Sequence, residues 1–398
     1  MVDRSRIGGT MRVRRSLQRA AAATAATITP LAVVPMIASA DAQAPRLSST
    51  SRPTYQTNGR VTSILVVRNT VYIGGDFTAV RPHGAAPGTR ETSRAHLAAF
   101  RVDNGRLRAW NPHPNGSVAA LAASFDGRTI YVGGSFTTLA GAAHHNLGAV
   151  DAKTGSALGF HANTNGAVLA LARSRSRLYL GGAFDIAKHK PRQHVAAVNL
   201  KGHLVRSWHP GTNGTVRSVR VAEHGRRVYL GGAFTQINGQ PDPFLAKVSS
   251  SGKVLTMRTH PDHPVWSLVV ASHYVYAGGN GPGGYVAALP RRGGSAWSVH
   301  TDGGVQTLAW FHGALLVGGH FRKICSVAAD GCAPALASRN KVMSLNPYTG
   351  GVQPWNPAAN SGLGVFAIRS AGTKVYVGGV FTKVNNVPQQ GFDSFIRS

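Results

Sequence analysis

One short pattern recurs along the whole chain and constrains the fold more than any other feature. It is an apolar strand that ends in a glycine pair followed by an aromatic residue, as in YIGGDF from Tyr72 to Phe77. The seven glycine pairs begin at Gly74, Gly133, Gly181, Gly231, Gly278, Gly318 and Gly378. Their spacings of 59, 48, 50, 47, 40 and 60 residues are far longer than the period of short solenoid coils. The pattern therefore indicates a repeat unit that contains several strands.

Each glycine pair belongs to a unit of four short strands. A first apolar strand precedes the pair, as in NGTVRSVRVA from Asn213. After the pair come a polar loop, a third strand such as VAAVNLKG from Val195, and a fourth segment with an aromatic residue such as Trp208. No helical period is present after the first 42 residues. Seven such units predict an all-β fold, a seven-bladed β-propeller of four-stranded blades.

The glycine pair and the phenylalanine after it have a structural explanation. A residue without Cβ lets a neighbouring backbone or ring approach closely, or lets the strand bulge. A phosphate-binding glycine loop is excluded because no helix follows the pair. We expect the phenylalanines two residues after the pair to be core residues: Phe77, Phe136, Phe184, Phe234, Phe321 and Phe381.

The two ends of the repeat array are complementary. The chain finishes with the segment GFDSFIRS and without a fourth strand. The residues before the first unit, RPTYQTNG up to Gly59, resemble a lone fourth strand. Pairing of these N- and C-terminal segments would close the ring and remove the exposed sheet edges of an open array.

The repeat unit resembles a known bacterial repeat. Its G-G-x-F-T strand, L-A-x-x-[DN]-x-x-T-G strand and W-[NH]-P segment resemble the delta-60 repeat of secreted bacterial β-propellers, and more distantly the propeller part of fungal cortical marker proteins. The resemblance runs from about Pro53 to the C terminus. The fifth copy, YAGGNGPGGYVA, lacks Phe and Thr, and the sixth, LVGGHFRKI, lacks Thr. The resemblance implies a propeller fold and an extracellular location, and it implies no particular activity.

The first 42 residues have the three parts of a secretory signal. Six arginines lie between Arg4 and Arg19, an Ala-rich apolar run follows, and small residues near Ala42 offer cleavage sites. Pro30 and Pro35 interrupt the apolar run, which argues against a membrane-spanning helix. We expect residues 1–42 to be a signal peptide, 43–52 a short linker and 53–398 the propeller. Paired arginines in the basic region leave both the general and the twin-arginine export routes open.

The two cysteines of the chain lie close together. Cys325 and Cys332 enclose six residues, and in an exported protein such a pair indicates a disulfide, with two free thiols as the alternative. Closing so short a loop would stiffen it locally and contribute little to global stability.

The predicted mature chain is strongly basic. Residues 1–42 contain six arginines and two aspartates, so their removal leaves 37 basic residues against 12 acidic ones. Such a charge attracts polyanions with strong salt dependence, and it also maintains solubility. The basic residues are not interleaved with aromatic residues as in a nucleic-acid-binding module, so we expect no specific nucleic-acid partner.

The acidic residues give little basis for catalysis. Asp103, Asp126, Asp151, Asp302 and Asp330 lie in glycine-containing turns, where aspartate caps its own backbone. No carboxylate pair recurs at the spacing of an acid/base couple or a hard-cation site, and the common hydrolase and metalloprotease motifs are missing. We therefore expect no catalytic residues, cofactor or metal site. The alternative is an extracellular hydrolase or quinoprotein-like enzyme with its site at the mouth of the central channel.

The candidate binding residues lie in two classes of loops, those after the glycine-pair strand and those that link the fourth strand to the next unit. In a propeller both classes emerge on one face, which Arg81 and Arg90 would also share. Its histidines would either gain charge below about pH 6.5 or serve as turn caps and solvated polar sites. The candidate binding face comprises His113, His144, His145, Lys188, His189, Lys190, Arg192, His194, His209, His260, His263 and His300.

These observations predict a secreted, monomeric protein without a transmembrane segment in its mature form. We expect a binding or scaffold module at the cell surface that holds an anionic envelope polymer or a surface protein through this face. Whether it is released or stays on the cell wall is left open.

Overall fold

The computed structural model describes residues 47–326, 332 and 335–397. The predicted signal peptide, the first part of the predicted linker and Asp330 lie outside the described residues. Within those ranges the regular structure consists of β-strands and one 3-10 turn, Glu223–Gly225. None of these residues forms a helix with the length and hydropathy needed to cross a membrane.

The strands are short, as expected for segments separated by glycine-rich turns. In chain order they are β1 (Gln56–Thr57), β2 (Val61–Val67), β3 (Thr70–Gly75), β4 (Ala79–Arg81), β5 (Thr92–Ser93), β6 (Leu97–Arg101), β7 (Ser117–Ala123), β8 (Thr129–Ser135), β9 (Thr138–Leu139), β10 (Ala142–Ala143), β11 (Leu147–Asp151), β12 (Val168–Arg173), β13 (Arg177–Gly182), β14 (Ile186–Ala187), β15 (Lys190–Pro191), β16 (Val195–Asn199), β17 (Val216–Ala222), β18 (Arg227–Gly232), β19 (Gln236–Ile237), β20 (Gln240–Pro241), β21 (Leu245–Ser249), β22 (Val254–Leu255), β23 (Val265–Val270), β24 (Tyr274–Gly281), β25 (Gly283–Pro290), β26 (Trp297–Thr301), β27 (Val305–Phe311), β28 (Ala314–Gly319), β29 (Lys323–Cys325), β30 (Ala335–Ser338), β31 (Val342–Leu345), β32 (Val352–Gln353), β33 (Val365–Ala371), β34 (Lys374–Gly379), β35 (Lys383–Val384), β36 (Val387–Pro388) and β37 (Phe392–Ile396).

Antiparallel units of the same design follow one another along the described chain. Each has a first strand, a second strand that ends in the glycine pair, and a third strand on the far side of the second. These three strands are β2, β3 and β6 in unit I, β7, β8 and β11 in unit II, β12, β13 and β16 in unit III, β17, β18 and β21 in unit IV, β23, β24 and β25 in unit V, β27, β28 and β31 in unit VI, and β33, β34 and β37 in unit VII. A fourth strand pairs with the third in units IV to VI, and single bridges take its place in units I to III.

Two close approaches explain the glycine pair. A Cβ on Gly74 would overlap the Val118 side chain, which belongs to the first strand of the next unit. A Cβ on Gly75 would overlap the carbonyl oxygen of Arg60, because the first strand bulges between Val61 and Ser63. The same register shift is present in the first strand of every unit. The prediction that a neighbouring backbone approaches the pair and that a strand bulges there is confirmed, whereas the side chain that packs against Gly74 is a valine and not an aromatic ring.

The predicted core phenylalanines are buried. None of the six is more than 3% exposed, which confirms this prediction. Aromatic residues also join consecutive units through the indole N–H. Trp110 donates to Asp151 O at 3.0 Å and Trp208 donates to Ser249 O at 3.0 Å. Each hydrogen bond links the fourth segment of one unit to the end of the third strand of the next, so the tryptophan both fills the core and fixes the spacing of neighbouring units.

The N-terminal segment pairs with the last strand of the described chain. Leu47 forms an antiparallel bridge with Arg397, and the Arg52 N–H donates to Ser394 O at 2.9 Å. A carboxylate is buried at this junction: Asp393, 0% exposed, accepts hydrogen bonds from Ser51 Oγ at 2.6 Å and from the Ser394 N–H at 2.7 Å. Burial raises the pKa of Asp393 to about 7.

Arg81 belongs to the same junction and corrects one expectation. We expected its side chain on the exposed loop face, but it is only 2% exposed. Its Nε donates to Ala85 O at 3.1 Å, and its Nη2 donates to Gln56 Oε1 at 3.2 Å and to Gln390 Oε1 at 2.6 Å. The guanidinium therefore connects the start and the end of the described chain to unit I and is not free to bind a partner.

Two further predictions concern the cysteine pair and the aspartates in turns. Cys325 and Cys332 lie at disulfide-bonding distance, with Cα atoms 4.9 Å apart, as predicted. Asp151 caps its own turn by accepting the N–H groups of Lys153 and Thr154. Asp302 differs, because it accepts the N–H groups of Arg322 and Lys323, about twenty positions later in the chain. It joins two loops and does not cap its own backbone.

Candidate functional site

A repeated asparagine joins the two classes of loops that carry the candidate residues. Asn115, before the first strand of unit II, accepts the N–H groups of Thr137 and Thr138 at 2.8 and 2.9 Å. Those threonines begin the loop after the glycine-pair strand. The same contact is made by Asn58, Asn165, Asn213 and Asn360, and by Asp302 in unit VI. The two loop classes thus lie together at the same ends of the strands. The signal in the sequence is the Asn-Gly pair that precedes most first strands.

The hairpin between β14 and β15 in unit III carries three of the candidate residues, Lys188, His189 and Lys190. Its two-residue turn consists of Lys188 and His189, which have φ values of 49° and 61°. Turns with positive φ at both central positions favour Asn-Gly, and the equivalent turn of unit IV is Asn238-Gly239. A side chain with a Cβ in this conformation costs on the order of 1–3 kcal/mol. Unit III therefore holds a cation and an imidazole at a strained hairpin tip.

Other basic groups lie beside this tip. Lys188 Nζ donates to His161 O at 2.8 Å, and a ring nitrogen of His194 lies 3.1 Å from Thr212 O. The side chains of His189 and Lys190 are exposed, and Arg192 is half-buried. Asp185 is the one acidic residue in the loop from Ala183 to His194. We call residues 185–194 together with His145 and His161 the unit III basic loop.

His144 is placed in the interior and not on the surface. It is 1% exposed and stacks on His161 with ring centroids 5.7 Å apart. Burial, with a smaller contribution from His161, lowers the pKa of His144. Its Nδ1 has no hydrogen-bond partner in the described part of the chain. His144 is neutral at neutral pH and is not available to a macromolecular ligand, whereas the adjacent His145 is exposed.

Three other candidate residues form a second group between units IV and V. His260 Nε2 lies 2.5 Å from Asp242 Oδ1, and the His263 ring packs against Tyr285 with centroids 6.2 Å apart. Burial and the nearby His263 lower the pKa of His300, so His300 contributes no charge at neutral pH. The remaining two, His113 and His209, are exposed on separate linking loops. No hydrogen bond or ring contact among the described residues joins the second group to the unit III basic loop.

A cavity lies along the first strands, and the charged residues in it were not predicted from the sequence. Its volume is about 870 Å³, and residues from the first strands of all seven units line it. Arg220 and Arg369 occupy a position where the other units have small or aliphatic residues. Aligning the first strands by their bulge would have revealed this exception. Asp126 is the one carboxylate among the described lining residues, so an acid/base pair is not formed within this wall.

A metal site requires several ligand side chains close together. Within residues 47–326, 332 and 335–397, no three His, Cys, Asp or Glu side chains are grouped as a metal ion would require. The histidine pairs of the candidate face therefore lack a third protein ligand in this part of the chain.

Comparison with known proteins identifies the fold. No protein-family model and no curated protein matches the chain. Among solved structures, the WD40 repeats of RRP9 share 13% identity and a TM-score of 0.57, with 89% of this chain and 99% of that chain covered. The WD40 β-propeller domain of Doa1 shares 12% identity and a TM-score of 0.56, with 87% and 98% covered. The computationally designed Ika8 protein shares 13% identity and a TM-score of 0.51, with 87% and 96% covered. The chain has the β-propeller fold.

Proposed function

We propose that this chain is an exported, seven-bladed β-propeller that binds an anionic polymer of the cell envelope through the unit III basic loop. β-propellers commonly serve as binding or scaffold modules. The seven consecutive units and the pairing of Leu47 with Arg397 support seven blades closed by the two ends of the chain. Membership of the delta-60 repeat proteins, export of the chain and a monomeric state are part of the proposal.

The observation that carries the proposal is the Lys188-His189 turn. A strained turn weakens the folded state, so residues that relieve the strain are favoured unless the strained side chains have another role. Here a lysine and a histidine lie at the tip of the hairpin, at two positions where glycine would relieve the strain. Lys190 and Arg192 follow within four residues. Such a surface suits a repeating polyanion that makes several weak, salt-sensitive contacts.

Replacing the Lys188-His189 turn of unit III by Asn-Gly should change stability and polymer binding in opposite directions. We expect the double variant Lys188→Asn/His189→Gly to be more stable than the wild type by about 1–2 kcal/mol, because both residues would then suit positive φ. We also expect it to bind anionic polymer several-fold more weakly. The slope of log affinity against log salt concentration should fall by the contribution of about one charge. Urea unfolding measures the first effect. Sedimentation with isolated cell envelope at about 0.05 and about 0.3 M salt measures the second.

Two controls make this test specific. Lys253→Asn removes a positive charge from the turn between β21 and β22 in unit IV, which follows a third strand and not a glycine-pair strand, and should leave polymer binding close to that of the wild type. Asn238→Lys/Gly239→His transfers the strained turn to unit IV and should lower stability. If the unit III variant binds as well as the wild type, the basic loop is not the binding surface. If the wild type does not sediment with envelope at either salt concentration, the proposed ligand class is wrong.

The histidines that remain exposed predict a pH dependence. Histidine is the side-chain type whose charge responds to pH in the physiological range, and His145 and His189 are exposed. We therefore expect polymer binding to strengthen between pH 7.5 and pH 5.5. Burial lowers the pKa of His144 and of His300, so each contributes less charge over this range than an ordinary histidine. Replacing His189 by glutamine should reduce the pH effect more than replacing His300 by glutamine does.

A further inference from the structure

We propose that the cavity lined by the first strands binds a multivalent oxyanion of the phosphate or sulfate class between Arg220 and Arg369. This site is separate from the unit III basic loop, and the inference does not rest on the proposed function.

The two arginines lie at the same level of the cavity. Arg220 pairs with Tyr229 across the sheet of unit IV, and Arg369 pairs with Tyr376 across the sheet of unit VII. Each tyrosine lies two residues before its glycine pair, so the two arginines hold equivalent register positions. Units IV and VII are not neighbours, because two units separate them in one direction along the repeat. Their guanidinium groups therefore enter the shared cavity from different sides.

The same level of the cavity has room for a ligand. The equivalent positions of units II, III and VI are alanines: Ala122, Ala172 and Ala309. Residues of this size leave the centre of the cavity open beside the two long arginine side chains. The volume of about 870 Å³ exceeds what a single phosphate needs, so the oxyanion can be free or can be the end group of a larger molecule.

The two positive charges are not neutralised by the protein. Neither guanidinium forms an ion pair within the described residues. Arg220 Nη1 donates to Val219 O at 3.0 Å, and no hydrogen bond from the Arg369 guanidinium is formed in the described part of the chain. Asp126 lines the same cavity, but its carboxylate is held by Ser124 Oγ at 2.5 Å and by the Arg128 N–H at 3.1 Å. The pair is thus left with donors for an anion.

Electrostatics at this level favours a ligand with more than one negative charge. The cavity wall removes Arg220 from bulk water, although the residue is partly accessible. This desolvation, together with the charge of Arg369, lowers the pKa of Arg220 to about 10. Both groups stay protonated at neutral pH and repel each other. A planar guanidinium binds phosphate or sulfate through two parallel hydrogen bonds, so one divalent oxyanion can relieve the repulsion of both.

Other arginines of the cavity differ in a way that supplies a control. The Arg217 guanidinium lies over the Trp266 ring at 5.2 Å, and the Arg173 guanidinium lies over the Phe125 ring at 5.5 Å. Arg217 is three residues before Arg220, near the bulge of the first strand. An aromatic face therefore accompanies each of these two cations, and Arg217 does not share the level of Arg220 and Arg369.

Calorimetric titration of the mature protein tests this site. The titrants are inorganic phosphate, sulfate and glycerol 2-phosphate, and chloride at equal ionic strength is the reference for each. We expect saturable binding of the divalent anions and none of chloride. We expect Arg220→Gln and Arg369→Gln each to weaken phosphate binding about tenfold or more, and Arg217→Gln to change it by less than about threefold. If glycerol 2-phosphate binds as tightly as inorganic phosphate, the site accepts a phosphate group attached to a larger molecule. If inorganic phosphate binds more tightly, the site prefers the free ion.

The melting temperature provides a second readout that does not depend on calorimetric heat. Phosphate should raise the melting temperature of the wild type and not that of Arg220→Gln/Arg369→Gln. Without phosphate, that double variant should melt no lower than the wild type, because it removes a repulsion. The Lys188→Asn/His189→Gly variant should bind phosphate like the wild type. Equal phosphate affinity in the wild type and the double arginine variant, or no saturable phosphate binding by the wild type, would overturn the proposal.

Discussion

Replacing Gly232 by alanine is expected to destabilise the protein by more than about 3 kcal/mol. The added Cβ would overlap Thr215 O and would lie 3.0 Å from Val216 Cα. Val216 begins the bulged strand β17 and Thr215 immediately precedes it, so neither backbone atom can move without disturbing the pairing of β17 with β18. The Phe234 ring, 3.1 Å away, restricts movement on the other side. Urea unfolding followed by tryptophan fluorescence measures the change.

A second glycine in the chain provides the matched control. Gly159 has no heavy atom within 4 Å of the Cβ that alanine would add, and its φ is outside the left-handed region. We expect Gly159→Ala to change the free energy of unfolding by less than about 1 kcal/mol. Equal unfolding midpoints for the two variants would show that the glycine pair is not required for close packing between strands.

Raising the pH from 5 to 8 is expected to lower the stability that Asp393 contributes by about 2–3 kcal/mol. Burial raises the pKa of this carboxyl from 3.8 to about 7. Between these two values the folded state binds a proton that the unfolded state has released, so the free energy of unfolding falls as the pH rises. The loss ends above about pH 7, where both states are ionised.

The variant Asp393→Asn tests this link between a proton and stability. An asparagine has no proton to release, so the difference in stability between variant and wild type should shift in favour of the variant between pH 5 and pH 8. Using the difference cancels the titration of every other group, including His144. Asp185→Asn, a change at an exposed carboxylate of the unit III basic loop, serves as the control. If the difference in stability between Asp393→Asn and the wild type stays constant with pH, Asp393 is not a buried carboxyl group that holds a proton at low pH.

The sequence predicted those features that repeat. The spacing of the glycine pairs and the apolar strand before each pair are sufficient to identify β units, because the same packing contacts recur in each unit. The burial of Phe184 and Phe234 follows from that repetition. Gly181 and Gly231 are equally predictable, since the valines of the next unit pack against both.

Features that occur once were not predicted. Arg81 reads as an exposed loop cation, yet its partners Gln56 and Gln390 are 25 and 309 positions away, and only the folded chain brings them together. His144 lies next to His145 in the sequence, but the stacking of His144 on His161 buries one imidazole and leaves the other exposed. No local pattern separates two adjacent histidines in this way.

The cavity arginines could be predicted in part: the strands that hold them repeat along the chain, but the two arginines do not. Arg220 and Arg369 fall in first strands that the repeat pattern predicts, but their equivalence depends on the register of each strand, which the pattern does not fix. The side chains that line a central cavity come from residues about fifty positions apart, so their proximity depends on the arrangement of the units. Once the bulge fixes the register, the two exceptions to an aliphatic or alanine position become visible in the sequence.

Site-resolved lysine acetylation, with and without anionic envelope polymer, tests the proposed binding surface most directly. Lys188 and Lys190 lie in the unit III basic loop, before β16, and Lys253 lies in the turn between β21 and β22 of unit IV. Mass spectrometry of the acetylated mature protein should show that the polymer protects Lys188 and Lys190, and that about 0.3 M salt abolishes this protection. Lys253 and Lys153, which lies after β11, should react equally in both samples. Equal protection of all four lysines, or protection of Lys253 and Lys153 alone, would contradict the assignment of binding to this loop.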